Sequence, residues 1–438
     1  MDLPSLFRSD GSVGGLASSA SSRLSGSTYV ANASIIVPKG IHLEIGIDTT
    51  IYFAPMRGIL VQQGGKLSVL GPVKMKPSQN IEWAGLILET TNKTILRDVI
   101  IDSSHVGIQQ INGGFGSLHI EDTTITRTFT KGIDAMGSSV DIIRSEISEA
   151  GDSGIGINEG VQNFRLLNST LSNSSSSELY ADYKSRANIT LENNVVNSFK
   201  SSSAAFRFDG FSTLRLRQNM LRCRYQCLQS DYGNPVLVIE NNIFSGIGFD
   251  HSYRMVSLSE YYYSSASVIV VFEGNEINDW KTDSEALYIN PRLSSEAETF
   301  VLRSNEFSNI EAKQIMKLDF PSCRFPTNIS NIFGPNLTTT DNEYPALLYI
   351  QQWPDNAEEN LCTLRGNVFY NSSSESFAVV VRQNANQDSR IDASLSYWGA
   401  TDETIVTKRI YDGTDDPGTA ILSYLPYFLT PDPLGPRR

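Results

Sequence analysis

The feature that most restricts how this chain can fold is a nine-residue phrase that keeps returning. Each copy has a short alternating apolar stretch, a polar turn and a second apolar stretch. Copies run over 95–101, 118–125, 140–147, 164–171, 189–196, 214–221, 237–244, 270–277, 300–307 and 362–369. The closing apolar residues stand at 101, 125, 147, 171, 196, 221, 244, 277, 307 and 369, so the steps are 24, 22, 24, 25, 25, 23, 33, 30 and 62. Six consecutive steps within 22–25 residues mark a structural repeat that stacks on its neighbours.

The content of one repeat selects the kind of solenoid. Alternation at period two marks strands with one buried face, and runs at helical period are missing. A third apolar stretch follows each phrase, as in Ala205-Phe206-Arg207-Phe208. The leucine-rich frame L-x-x-L-x-L-x-x-N is absent. Three short strands and three turns in about 23 residues make one rung of a β-helix, stacked at roughly 4.8 Å. The expected fold is all-β, a right-handed parallel β-helix solenoid with N- and C-terminal caps. Asn194, Asn219, Asn242, Asn275, Asn305 and Asn367 recur at one turn and are expected to stack as a structural amide ladder.

The repeat also divides the chain. Residues 1–27 are rich in Ser and Gly without hydrophobic period and read as a flexible leader. The β-helix is expected over 28–430, with a cap near 28–45, a loop insertion at about 310–360 and a C-terminal cap at 397–430; 431–438 is a tail. Leu43-Glu44-Ile45 and Leu67-Ser68-Val69 lie 24 residues apart, so the winding is expected to begin near Tyr29. The 62-residue step reads as one weakly patterned rung plus the insertion.

Composition then limits the partners. The chain is 40% hydrophobic and 19% charged, with net charge -13. Such acidity argues against a nucleic-acid partner, because phosphate binding needs a basic footprint. With no run of 18 apolar residues, no membrane span is expected within the chain. The opening Met1-Asp2-Leu3-Pro4-Ser5 lacks the basic and apolar regions of a secretory signal. An extracellular chain would then be an internal piece, or one whose leader is missing.

Cys223, Cys227, Cys323 and Cys362 match no zinc or redox spacing. Pairing as Cys223–Cys227 and Cys323–Cys362 is one of three possible connectivities; four buried free thiols are the other reading. Eight N-x-S/T sequons, at Asn32, Asn92, Asn168, Asn173, Asn188, Asn328, Asn336 and Asn371, are glycosylation candidates and permit a secreted chain.

The opening phrases, Thr28-Tyr29-Val30 through Trp83-Ala84-Gly85-Leu86, resemble the first rungs of secreted pectin-lyase-like β-helix proteins. The close, Tyr397-Trp398-Gly399 with Arg409-Ile410-Tyr411-Asp412-Gly413 and Tyr424-Leu425-Pro426-Tyr427, resembles the β-helix segments of the bark beetle (Anakonda) family. The resemblance implies part of a large single-pass protein of animal cell junctions, without the scavenger-receptor modules of that family.

The fold also hosts polysaccharide lyases and hydrolases, but function must be argued from a site. Hydrolysis needs two placed carboxylates. Pectin-type hydrolases are similar to one another in a close Asp-Asp pair and a Gly-His-Gly. Here Asp415-Asp416 is the only such pair, and none of His42, His105, His119 and His251 stands in Gly-His-Gly. The Asp-Pro-His-Glu run of uronate epimerases is missing too, as are calcium-binding glycine/aspartate nonapeptides. His105 and His119, beside Asp102 and Asp122, read as solvated side chains. Gly154-Ile155-Gly156-Ile157-Asn158-Glu159-Gly160 reads as a turn between rungs. No catalytic residue, metal ligand or cofactor is assigned. The binding candidates are Tyr261, Tyr262 and Tyr263, because three consecutive aromatics in a strand cannot all face the core. The expected function is extracellular binding or adhesion to a protein or glycan; the alternative is a polysaccharide lyase or glycoside hydrolase.

Overall fold

A computed structural model describes residues 13–17, 21–111, 116–231, 236–247, 253–259, 269–290, 299–320, 330–334, 337–338, 345–352, 362–370, 376–383, 390–416, 419 and 421–431. The chain falls into two compact units, residues 1–213 and 214–438. Both are built from parallel strands, three to a turn, here called lines A, B and C.

In the first unit, line A includes Leu118–Glu121, Ser139–Ile143, Asn163–Leu167 and Asn188–Glu192. Line B includes Thr124–Thr126, Glu146–Ser148, Thr170–Ser172 and Val195–Ser198, and line C Ile133–Ala135, Ile155–Ile157, Leu179–Ala181 and Ala204–Phe208. Registers hold residue for residue, so like side chains stack. On line A, Leu96, Ile120, Ile142, Leu166 and Leu191 are successive partners. On line B the column is Ile101, Ile125, Ile147, Leu171 and Val196. All ten are fully buried. Each contributes about 1.5–3 kcal/mol of transfer free energy, which is why the period is so strict.

The turn between lines A and B is made by one left-handed residue per rung. Asp98, Asp122, Arg144, Asn168 and Asn193 all have φ between 48° and 56°. The residue after each faces inward, and from Thr123 on it links to the next rung. Thr123 N donates to Ser145 Oγ at 3.2 Å, Ser145 N to Ser169 Oγ at 3.1 Å and Ser169 N to Asn194 Oδ1 at 2.9 Å. The buried position just before line C is held by Gly58, Gly85, Gly107, Gly132 and Gly154. A Cβ at Gly107 would sit 2.2 Å from the Gly132 carbonyl oxygen, and one at Gly132 2.6 Å from that of Gly154. At the next turn this column is occupied by Glu178.

The expectation of a flexible leader over 1–27 is corrected for two segments. Val13–Leu16 pairs with Thr28–Val37, and Ser21–Leu24 pairs with His42–Ile45. Val13 and Leu24 are buried. Main-chain ladder bonds, which need no hydrophobic period, carry the winding back beyond Tyr29.

In the second unit, line B runs through Met220–Cys223, Ile243–Gly246, Glu276–Lys281, Glu306–Ala312, Ile332–Phe333 and Val368–Phe369. Line C runs through Gln226–Ser230, Val256–Ser259, Glu285–Asn290, Gln314–Phe320, Ala346–Gln352 and Phe377–Gln383. The ladder now consists of amides: Asn219 N donates to Asn242 Oδ1, Asn242 N to Asn275 Oδ1 and Asn275 N to Asn305 Oδ1, at 2.9–3.0 Å. Asn331 continues it, accepting from Asn305 N at 3.2 Å and donating through its own N to Asn367 Oδ1 at 2.9 Å. The rung expected within the 62-residue step is described at line B, Ile332–Phe333, and at line C, Ala346–Gln352. The unit's core column is aromatic: Phe307, Phe333, Phe369 and Trp398 stack with centroids 5.0–5.1 Å apart.

The C-terminal cap at 397–430 is built on the winding itself. Ile410–Tyr411 pairs with Phe377–Gln383, Ile421–Ser423 pairs with Arg390–Asp392, and Tyr397 bridges Val368 and Phe428. Glu403–Lys408 forms a short helix, N-capped by Asp402, which accepts from Thr404 N at 2.8 Å. The buried Arg409 guanidinium donates to the Trp398 carbonyl and, at 3.3 Å, to that of Tyr370. Among the described residues no helix is long and apolar enough to cross a membrane.

Candidate functional site

The first B-to-C corner of the second unit differs from all the chemistry expected of a structural turn. Met220–Cys223 ends line B and Gln226–Ser230 begins line C, so only Arg224 and Tyr225 span the corner. Cys223 and Cys227 are disulfide-bonded across it, with Cα atoms 5.4 Å apart. Strand alternation sends Leu221 and Cys223 inward and Arg222 outward, and Arg224 is exposed in the bend that follows. Among the described residues, neither arginine side chain makes a hydrogen bond or ion pair. Most other arginines among the described residues are ion-paired, as in Arg217–Glu240 at 2.8 Å and Arg303–Glu273 at 2.7 Å, although Arg57, Arg186 and Arg215 are not.

The next turn supplies an aromatic partner. The Tyr253 ring lies 4.5 Å from that of Tyr225, tilted by 31°, and is 45% exposed. Its carbonyl accepts from Trp280 Nε1 at 3.1 Å, which ties the platform to a buried indole. The adjoining Tyr253 hydroxyl holds Tyr225 above the ordinary phenol range. Arg254 follows, with its guanidinium 3.8 Å from the Tyr288 ring centroid and its Nε 2.7 Å from Glu285. Burial works to raise the Glu285 carboxyl, but Arg254, Ser284 and Lys317 outweigh it and hold the group below the carboxylate range. Glu285 is thus a fixed anion that positions Arg254.

A second carboxyl has the opposite character. Glu178 is fully buried inside the first unit, where burial pushes it up to about 7. Ser174 partly offsets this, donating from Oγ at 2.7 Å and from its backbone N at 3.1 Å.

Of the residues singled out in the sequence, Cys223 and Cys227 pair as expected. Cys323 lies outside the described residues, and at Cys362 only the backbone pairing with Ile391 is described. Tyr261, Tyr262 and Tyr263 lie outside the described residues, as do Asn328, Asn336 and Asn371. Asn32, Asn92, Asn168 and Asn188 are exposed, and Asn173 is half-buried. Asn92 Nδ2 donates to the Gly64 and Gly65 carbonyls at 3.1 Å. His105 lies at a B-to-C corner, 3.4 Å from Glu82, whereas His119 lies on line A, 3.7 Å from Glu121, so they share no groove. Asp415 Oδ2 accepts from Asp412 N at 3.2 Å, within a turn. In the Gly154–Gly160 stretch, Ile155–Ile157 is a line C strand and Gly160 a left-handed turn. Asn331 and the Tyr225–Tyr253 pair escaped the sequence reading. The run Asn331-Ile332-Phe333 repeats Asn242-Ile243-Phe244 and was a usable signal for the first; the pairing of two distant tyrosines had none.

Residues 84–253 match the protein family described as the right-handed β-helix region. With the stacked parallel strands of both units, this identifies the architecture as a right-handed β-helix. No curated protein matches the chain.

Proposed function

We propose that this chain is an extracellular, non-enzymatic binding scaffold. The observation that carries the reading is the disulfide-closed corner that presents the Tyr225–Tyr253 platform beside Arg222 and Arg224. A solenoid gains nothing in packing from two exposed, unpaired arginines and an exposed aromatic, whereas a recognition surface uses both residue types. The disulfide supports an oxidising compartment, and the exposed sequons fit the same setting. A place in the ectodomain of a cell-junction protein, akin to the bark beetle family, rests on the sequence resemblance of the last forty residues.

The polysaccharide-cleaving alternative fares less well on the carboxyls. A general acid needs a carboxyl poised near neutral pH within reach of substrate. Glu178 has the former and is sealed in the core; Glu285 is nearer the surface and held as an anion. The test is an assay for reducing ends and unsaturated products on pectin, alginate, chondroitin and heparan, with and without calcium. The scaffold reading expects no turnover; turnover that carboxylate substitutions abolish would replace it with the enzyme.

A further inference from the structure

We infer that the Arg222–Arg224–Tyr225–Tyr253 corner binds a sulfated glycan. The inference rests on the reading of this corner as a binding surface and goes on to name its ligand class. Arg222 lies on the outward face of the line B strand Met220–Cys223 and Arg224 opens the corner two residues on, and both are exposed. Neither side chain has a partner among the described residues, in a chain of net charge -13 whose other arginines are largely paired. Two uncompensated guanidiniums in a repelling background select an anion locally rather than attracting polyanions over the whole surface.

The cation type narrows the anion. A guanidinium is more weakly hydrated than an ammonium and forks onto two oxygens of one oxyanion, so it suits a sulfate ester well. Beside the charges, Tyr225 and Tyr253 offer amphipathic faces, tilted and in contact at 4.5 Å, on which the apolar side of a pyranose ring can lie. The platform is preorganised. Tyr225 is held within the Cys223–Cys227 loop, and the Tyr253 carbonyl is held by Trp280. Arg254 is the third guanidinium at this corner, fixed by Glu285 over Tyr288. Two exposed carboxylates, Asp279 and Asp283, lie at the turn after Tyr253, with Asp279 3.5 Å from the Ser245 hydroxyl, and they set a limit to the cationic patch.

The test measures binding of the full chain to a heparin-derived oligosaccharide, its de-sulfated counterpart, a polyuronate and a poly-glutamate peptide. The sulfated probe is expected to bind best, and affinity to fall as salt rises. Arg222→Ala with Arg224→Ala should weaken it about tenfold or more, and Tyr253→Ala by a comparable factor. Thermal unfolding of each variant reports whether the fold is kept. The de-sulfated probe on the unmodified chain gives a readout that needs no variant. Equal binding of sulfated and de-sulfated probes, a preference for the peptide, or wild-type affinity in the folded double variant would overturn the proposal. If the sulfated glycan fails but corner variants still lose a protein or neutral-glycan ligand, the ligand class falls and the binding surface stands.

Discussion

The first and second units close the same corner between lines A and B with different side chains, and the difference lies in how many rungs each residue joins. In the first unit Ser145 accepts from Thr123 N and returns its own proton to Ile143 O in the same rung, at 2.8 Å. In the second, Asn275 accepts from Asn242 N and Nδ2, and donates Nδ2 back to Ile239 O at 2.9 Å and onward to Asn305 Oδ1 at 3.1 Å. A hydroxyl ties two rungs together and an amide ties three. The first unit has regular rungs and an aliphatic column; the second has rungs of up to 36 residues and an aromatic column. Where the repeat lengthens, the interior of the second unit is held by longer side chains with more bonds.

The largest expected effect comes from breaking the amide ladder. Asn275→Ala takes the side-chain partner from Asn242 N and Ile239 O and leaves Asn305 Oδ1 only the backbone N of residue 275, and should cost about 3–4 kcal/mol. Ser145→Ala removes one acceptor and should cost about 1 kcal/mol. Hydrogen exchange resolved by segment is the suitable measurement, because stacked repeats do not unfold as a single two-state body. Equal losses of protection around the two sites would remove the distinction between the ladders.

Next is Glu178→Gln, which sharpens the contrast from inside the first unit. The folded carboxyl sits at about 7, against an ordinary 4.5. Its folded state therefore holds the proton more tightly, so its contribution is full below pH 4.5 and is lost as pH rises through about 7. The variant should remove that decline, worth about 3 kcal/mol at alkaline pH, while leaving segments of the second unit unchanged. A slope with pH that persists in the variant would place its origin elsewhere.

A smaller effect is expected at the binding corner. Replacing Cys223 and Cys227 by serine opens a short loop and should cost about 2 kcal/mol in the unfolded-chain model. Protection should fall around 220–230 and hold at 306–320. The smallest effect belongs to the exposed charge ladder. Arg144 and Arg97 hold Glu121 at about 2, so that contribution is present above pH 4.5 and is lost only as pH falls through about 2. Arg144→Ala should leave stability at neutral pH almost unchanged, as surface pairs do.

Much of this architecture was legible in residue order, because it follows from local period. The columns at Ile125, Ile147 and Leu171 are spaced by one rung, and the inward asparagines follow the same count. Val13–Leu16 and Ser21–Leu24 were not legible, since an end rung is held by main-chain bonds that any side chain permits. A rung within the 62-residue step was expected, but its inward asparagine, Asn331, was not placed, because the step is far longer than one period. The site was legible only in its disulfide. Tyr225 and Tyr253 are 28 residues apart, and their contact depends on stacking one corner above the next.

Differential hydrogen exchange with and without a sulfated oligosaccharide tests the account most directly. The account predicts new protection at 220–230 and 253–259, with none at 118–148 in the first unit. Protection in the first unit, or none at either corner segment at saturating ligand, would contradict it.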